Sequence, residues 1–195
     1  MAIKIKNTLK KVWHFIWEDD SIWSWIVNIL LAFLIIKFLV YPGLGFALGT
    51  THPVVAVVSG SMEHEGSFDS WWDSQEYLYS AYGLTNEQFI TYRFKNGFNK
   101  GDIIILKKAK PESLKIGDVI VFRTVGRPDP VIHRIVRIDS TTPKYLFTTK
   151  GDHNLGSLDE EIEISEDRLI GKGVFKIPWL GWIKIGFVET LNWIF

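Results

Sequence analysis

The chain has no cysteine, which removes disulfides, thiolate metal sites and a cysteine nucleophile together while leaving the redox compartment open. It also has no surplus of charge, with 22 lysines and arginines against 22 aspartates and glutamates. Nothing in that balance points to nucleic acid, and neither a zinc-knuckle nor a phosphate-loop pattern is present. Histidines are scarce: His14, His52, His64, His133 and His153 are the only imidazoles available as general bases. Tryptophan is abundant instead, nine in 195 residues, grouped from Trp13 to Trp25, at Trp71 and Trp72, and from Trp179 to Trp193. Groups at the two ends have the pattern of interfacial aromatic belts.

The length suits one domain with a substantial core plus an additional segment. Residues 1–20 carry Lys4, Lys6, Lys10 and Lys11 beside Ile5, Leu9, Val12 and Ile16, the spacing of a short amphipathic helix on a membrane surface. Ile22 to Val40 follows as an apolar run broken only by Asn28 and Lys37, and at about 1.5 Å per residue it just spans a bilayer core of about 30 Å. This predicts a transmembrane anchor within residues 21–44, ended by Tyr41-Pro42-Gly43. It is longer than a cleavable signal core, and no small-residue cleavage site follows it. The lysines ahead of the span predict a cytoplasmic N-terminus in a single-pass protein of the cell membrane or endoplasmic-reticulum membrane, with the remainder on the far side.

Beyond the anchor, residues 50–178 predict a mainly β domain, barrel-like or sandwich, interrupted by a helical insertion at 65–99. The insertion mixes Trp71, Trp72, Tyr77, Tyr79 and Tyr82 with acids, and Thr85-Asn86-Glu87-Gln88 carries the signature of a capped helix start. Its aromatics either pack the insertion onto the main domain or meet lipid or a partner, packing being the simpler expectation. From Lys100 onward, the runs 102–107, 118–124, 130–138, 145–149 and 169–177 are short and rich in β-branched residues, with Gly, Pro, Asp and Lys between them. The tail, 179–195, is aromatic and apolar but contains Lys184 and Glu189, which favours an interfacial helix over a second span.

Three stretches carry candidate chemistry. Val54 to Val58 is a strand signal that breaks into Ser59-Gly60-Ser61-Met62, where a tight turn brings two hydroxyls to one small volume. In isolation that is an ordinary Ser/Gly turn. His133 lies within Val131-Ile132-His133-Arg134-Ile135-Val136, where alternation sets His133 and Ile135 on one face and Ile132, Arg134 and Val136 on the other. A strand holds an imidazole rigidly for proton transfer, although a strand histidine alone is more often structural. The third stretch, Thr148 to Asn154 followed by Asp159, offers two acids able to orient an imidazole, or else a solvated Asx turn. Asp152 beside His153 makes a weak metal-ligand set, so no metal is expected.

In order along the chain, Val57-Val58-Ser59-Gly60-Ser61-Met62-Glu63, Asn99 to Ile103, Ile116 to Ile120, Val131 to Ile135, Thr149 to Asp152 and Gly171 to Gly181 resemble the successive boxes of type I signal peptidases, in the archaeal and endoplasmic-reticulum branch whose base box holds histidine. The resemblance implies a cofactor-independent serine endopeptidase that cleaves signal peptides from exported precursors after small residues. It implies Ser61 as nucleophile, His133 as general base, Ser59 and the Ser61 N–H at the oxyanion, and Asp152 and Asp159 as the acids, with Asp159 orienting His133. Precursor proteins and the bilayer are the implied partners. The chain departs from the family pattern in having His64 where a proline is usual, in the long 65–99 insertion, and in Asp152-His153-Asn154 with one extra residue before Asp159. A peptidase for a single precursor class, and a catalytically silent module that binds signal peptides, are the alternative readings.

Overall fold

The computed structural model describes residues 2–126, 129–141 and 143–194, with side chains at 2–4, 187 and 191–194 left aside. Met1 and Phe195, and the side chains of Lys4 and Trp193 used above, lie outside the described residues. The chain divides into two compact units, 1–47 and 48–195.

In the first unit, helix α1 (Ala2–Trp17) is followed by α2 (Ile22–Ile35), whose N-cap Ser21 accepts a hydrogen bond from Ser24 N–H. Asn28, the polar break in the apolar run, donates through Nδ2 to the Ile16 carbonyl at 2.8 Å, and Ser24 Oγ donates to the Phe15 carbonyl at 2.6 Å. These side chains satisfy carbonyls that the end of α1 leaves unpaired. The helix does not stop at Tyr41-Pro42-Gly43. It passes through a π turn, Ile36–Val40, into α3 (Tyr41–Leu48), giving 27 continuous helical residues from Ile22 to Leu48 that are long and apolar enough to cross a membrane. The sequence expectation of a stop at Pro42 fails for a physical reason. Proline disrupts a helix through its missing N–H and its clash with the preceding turn, and a widened π turn just upstream, where Tyr41 N–H reaches back to the Ile36 carbonyl, relieves both.

Among the described residues the second unit is built on one curled antiparallel sheet of seven strands. They are β1 (Val54–Ala56), β2 (Ile103–Lys107), β3 (Val119–Phe122), β4 (Val131–Asp139), β5 (Leu146–Lys150), β6 (Ile164–Ser165) and β7 (Leu169–Ile177), in the order β1-β2-β7-β3-β4-β5-β6. The irregular register between Ile105 and Leu106 in β2, and between Ile135 and Arg137 in β4, marks the bulges at which such a sheet coils. A core of Val57, Met62, Phe98, Ile104, Leu106, Val119, Val121 and Ile132 fills one side. A second, of Leu114, Ile120, Phe122, Ile135, Phe147 and Ile164, fills the other.

The insertion forms α4 (Phe68–Ser80) and α5 (Asn86–Phe89), the latter started by the Thr85/Gln88 capping box that the sequence foretells. Most of its aromatics pack: Trp71, Trp72, Tyr79 and Phe89 are buried with Leu84 in a cluster with Val136 of β4, and Tyr82 packs against it, whereas Tyr77 faces outward, exposed. Covering both faces of β4 in this way explains why residues 132–136 are all buried instead of alternating with solvent. The C-terminal helix α6 (Trp182–Ile194) has 13 residues, about 20 Å, short of a bilayer core. It is fixed at its start by Gly181 N–H donating to the Gly101 carbonyl at 2.8 Å, and along its length by a Lys100–Glu189 ion pair of 3.7 Å.

Candidate active site

Strand β1 leaves the sheet edge at Ala56, yet Val57 still exchanges backbone hydrogen bonds with the Gly101-Asp102 turn, both at 2.9 Å. The chain then turns through Ser59–Met62, closed by Glu63 N–H to the Gly60 carbonyl at 3.0 Å. Two further backbone bonds fix the turn from opposite sides: Phe98 N–H donates to the Met62 carbonyl, and His153 N–H donates to the Ser61 carbonyl at 2.9 Å. The second requires a glycine at 151, since a Cβ there would sit 2.8 Å from the Ser61 carbonyl oxygen. Glu63 closes the cradle by accepting the Lys100 N–H at 2.9 Å.

The consequence is a serine hydroxyl held in line with an imidazole. Ser61 Oγ lies 2.8 Å from His133 Nε2, and Ser59 Oγ lies 3.2 Å from Ser61 Oγ. His133 is 4% exposed, and its Nδ1 is in hydrogen-bond contact with Glu161 Oε1. Glu161 is fully buried, and its other partners are Thr149 Oγ1, donating at 3.0 Å to Oε1, and Leu158 N–H, donating at 2.9 Å to Oε2. Each carboxylate oxygen is thus engaged, which is the condition for burying this group. With Nδ1–H pointed at Glu161, Nε2 is left as the acceptor facing Ser61, the tautomer needed to take a hydroxyl proton.

The carboxylate on His133 is therefore Glu161, and the sequence expectation of Asp159 is corrected. Asp159 is exposed at the start of the short 3-10 turn Asp159–Glu161. Three acids stand in a row at 159–161, and only the last is turned inward by its reach back to Leu158 N–H. Leucine at 158 supplies no capping hydroxyl and all three following positions are acids, so no sequence signal singles out Glu161.

Asp152 also departs from its expected place beside the imidazole. It sits at the centre of a second, separate network. Its Oδ1 accepts Tyr79 Oη at 2.8 Å and Arg134 Nε at 2.9 Å, and its Oδ2 accepts Arg134 Nη2 at 2.6 Å and lies 2.9 Å from His64 Nε2. Arg134 is fully buried, and its remaining donors reach the Arg93, Gly117 and Phe94 carbonyls, so all five N–H groups have acceptors. Burial alone would raise the Asp152 carboxyl, but the Arg134 guanidinium and the His64 hydrogen bond hold it well below the usual carboxylate range. His64, which stands where the family resemblance leads one to expect proline, stacks on Trp71 at 3.5 Å, and burial lowers its basicity. Lys150 is buried beneath the insertion with Nζ on Gln75 Oε1 at 2.9 Å and on the Gly151 carbonyl at 3.0 Å, and burial pulls it down to about 8. Among the described residues no group of three histidines, aspartates or glutamates is placed to hold a metal ion.

A cleft of about 510 Å³ opens over Ser61 and His133, walled by β1 and Val58 on one side and by residues 129–132 and Leu158 on the other. Among the described residues no further strand follows β1 in the sheet order, so its outer backbone edge is open to pair with an extended chain.

No family model matches the chain. It is similar to curated proteins of known role. The signal peptidase complex catalytic subunit of Sclerotinia sclerotiorum is 28% identical over 155 residues, 76% of this chain and 71% of that protein. That of Lachancea thermotolerans is 28% identical over 161 residues, 78% of this chain and 76% of the relative, and that of Yarrowia lipolytica is 25% identical over 161 residues. The curled sheet, the apolar helix ahead of it and these similarities define a protease of the signal peptidase class. The chain is similar to signal peptidase catalytic subunits over about three quarters of its length.

Proposed function

We propose that this protein is a membrane-anchored serine endopeptidase that cleaves signal peptides from exported precursors, with Ser61 as nucleophile, His133 as general base and Glu161 orienting the imidazole. The observation that carries the proposal is the continuous line from Ser61 Oγ to His133 Nε2, 2.8 Å, and from His133 Nδ1 to a buried Glu161. In that arrangement His133 takes the Ser61 proton as Oγ attacks the scissile carbonyl, and Glu161 stabilises the imidazolium that forms. The oxyanion faces the Ser59 hydroxyl and the Ser61 N–H. His133 then passes its proton to the departing amine, and water, deprotonated by the same imidazole, releases the acyl group from Ser61.

Substrate recognition follows from the free edge of β1. An extended segment laid along Val54–Ala56 gains main-chain hydrogen bonds, and its side chains next to the cut, expected to be small, meet the cleft lining at Ala56, Val57 and Val58. The lysines of α1 favour a cytoplasmic N-terminus, which sets the catalytic unit on the export side, whether of the cell membrane or of the endoplasmic reticulum. Relatives are catalytic subunits of a signal peptidase complex, so partner subunits are part of the same proposal. Anchoring enzyme and precursor in one membrane raises their effective concentration without further contacts.

The test is processing of a signal-peptide-bearing precursor by the full chain in detergent or liposomes. Ser61→Ala is expected to reduce cleavage by at least about 10⁴-fold while leaving the thermal unfolding transition in place. Processing at the wild-type rate by the folded variant overturns the proposal.

A further inference from the structure

A second cavity, of about 340 Å³, lies away from the cleft and is lined by Thr50, Thr51, Lys108, Arg123, Glu166 and Ile170 among others. Three features of this cavity point to a ligand. First, among the described residues its two cations, Lys108 and Arg123, form no ion pair, and both are exposed at a cavity wall that Thr50 and Thr51 also line. Second, its position is set by the chain itself. Gly49 and Thr50 directly follow Leu48, the last residue of the apolar helix, and Lys108 N–H donates to the Leu48 carbonyl at 2.9 Å. Third, the length of that helix sets the level. Its 27 residues extend about 40 Å, more than the hydrocarbon core of about 30 Å and close to the 40–45 Å thickness that includes the headgroups. A helix spanning the bilayer brings its end, and the Lys108 backbone bonded to it, to the headgroup layer.

We infer that this cavity binds the phosphate of a phospholipid headgroup, with Lys108 and Arg123 neutralising its charge and the Thr50 and Thr51 hydroxyls beside it. Arginine suits the planar pairing of two phosphate oxygens and lysine acts as a point charge. At liquid water's share of about 30 Å³ per molecule, the cavity has the volume of roughly ten waters, enough for a phosphate and the glycerol it esterifies. Lys107 and Lys110, both exposed, flank Lys108 in sequence and add to the local positive charge. Glu166 is the opposing element. Its Oε2 accepts the Tyr145 N–H at 3.1 Å, and its charge, set on the wall of the same cavity, weakens the hold on any anion. The site therefore makes a prediction of opposite signs for neighbouring substitutions. It is independent of peptide cleavage, and its test does not use cleavage as a readout.

The experiment is lipid retention by the full chain purified in an uncharged maltoside detergent, titrated with dioleoyl phosphatidylglycerol and read by native mass spectrometry. Parallel titrations use dioleoylglycerol, which has the same chains and no phosphate, and inorganic phosphate alone. One phosphatidylglycerol is expected to be retained tightly, and dioleoylglycerol is expected not to be. Each basic side chain at an anionic lipid contributes about fivefold, so the double variant K108Q/R123Q is expected to bind about 30-fold more weakly. E166Q is expected to bind about fivefold more tightly, and K95Q, an exposed charge removed elsewhere, to be unchanged. Equal affinity in wild type and K108Q/R123Q, or equal retention of dioleoylglycerol, overturns the proposal. Inorganic phosphate binding as tightly as the lipid and displacing it overturns the lipid as the source of the phosphate.

Discussion

Two carboxylates nine residues apart, Asp152 and Glu161, are both fully buried, yet they do opposite things. Asp152 faces a guanidinium that never gives up its proton, through two bonds of 2.9 and 2.6 Å, and adds Tyr79 and His64. The guanidinium protons in that network all have fixed acceptors. Glu161 faces an imidazole whose other nitrogen is hydrogen-bonded to a hydroxyl, so the charge opposite it changes when a proton leaves Ser61. A buried carboxylate paired with a permanent cation is a structural tie, whereas one paired with a titratable group can store charge during a reaction. Adjacent positions on β4 supply the two partners, His133 on one face and Arg134 on the other, so one strand serves both networks.

The sharpest way to break the comparison is to neutralise the carboxylates without changing their shape. Glu161→Gln is expected to lower kcat for precursor cleavage by about 10³- to 10⁴-fold, because an amide leaves the imidazole in the wrong tautomer and the imidazolium unsupported. Asp159→Asn, at an exposed carboxylate, is expected to leave kcat within about twofold. Steady-state cleavage of one precursor by the three proteins decides the matter, and a larger loss in Asp159→Asn than in Glu161→Gln returns the orienting role to Asp159. On the structural side, Arg134→Met leaves the Asp152 charge buried without its main partner and is expected to cost about 3–5 kcal/mol in stability. Denaturant unfolding checks it. A loss below about 1 kcal/mol with cleavage abolished would mean that Arg134 serves the reaction directly.

How much of this was readable from the residues depends on the range of the interaction. The five main strands were legible because β-branched runs between Gly and Asp turns are local signals, whereas two-residue β6 (Ile164–Ser165) was too short to carry one. The Ser61 turn and the His133 strand were legible as chemistry only in their order along the chain, since each alone is a common structural element. The acid was not legible, because Asp159, Glu160 and Glu161 are equivalent in composition and differ only in which one the short helical turn aims inward. Nor was the tie at Asp152. Its partners, Tyr79 and His64, arrive from the insertion and from the nucleophile turn, 73 and 88 residues away, and no periodicity reports a contact of that separation. The helix stop at Pro42 failed for a local reason of the opposite kind, a backbone adjustment at Ile36–Val40 that side-chain identity does not announce.

The smallest effect tests whether the insertion side is as fixed as its hydrogen bonds suggest. Lys150 is fully buried and held down to about 8 by burial, against 10.5 for a free lysine, even though Gln75 and the Gly151 carbonyl accept from it. Its folded pKa lies below its unfolded one, so between about pH 8 and 10.5 the unfolded chain holds the extra proton. Stability attributable to this group therefore rises with pH across that window, and below pH 8 the cost of burying the charged ammonium is present in full. Tyr79 and Tyr92 are both raised by burial and act in the opposite sense above about pH 10, which confines the clean measurement to pH 8–9.5. At 1.36 kcal/mol per pH unit, that interval corresponds to a gain of about 2 kcal/mol in the wild type. Lys150→Met, which keeps the length of the side chain and removes its charge, is expected to flatten the profile over the same interval. Parallel slopes in wild type and variant would show that Lys150 keeps an ordinary pKa and that the insertion admits water to it.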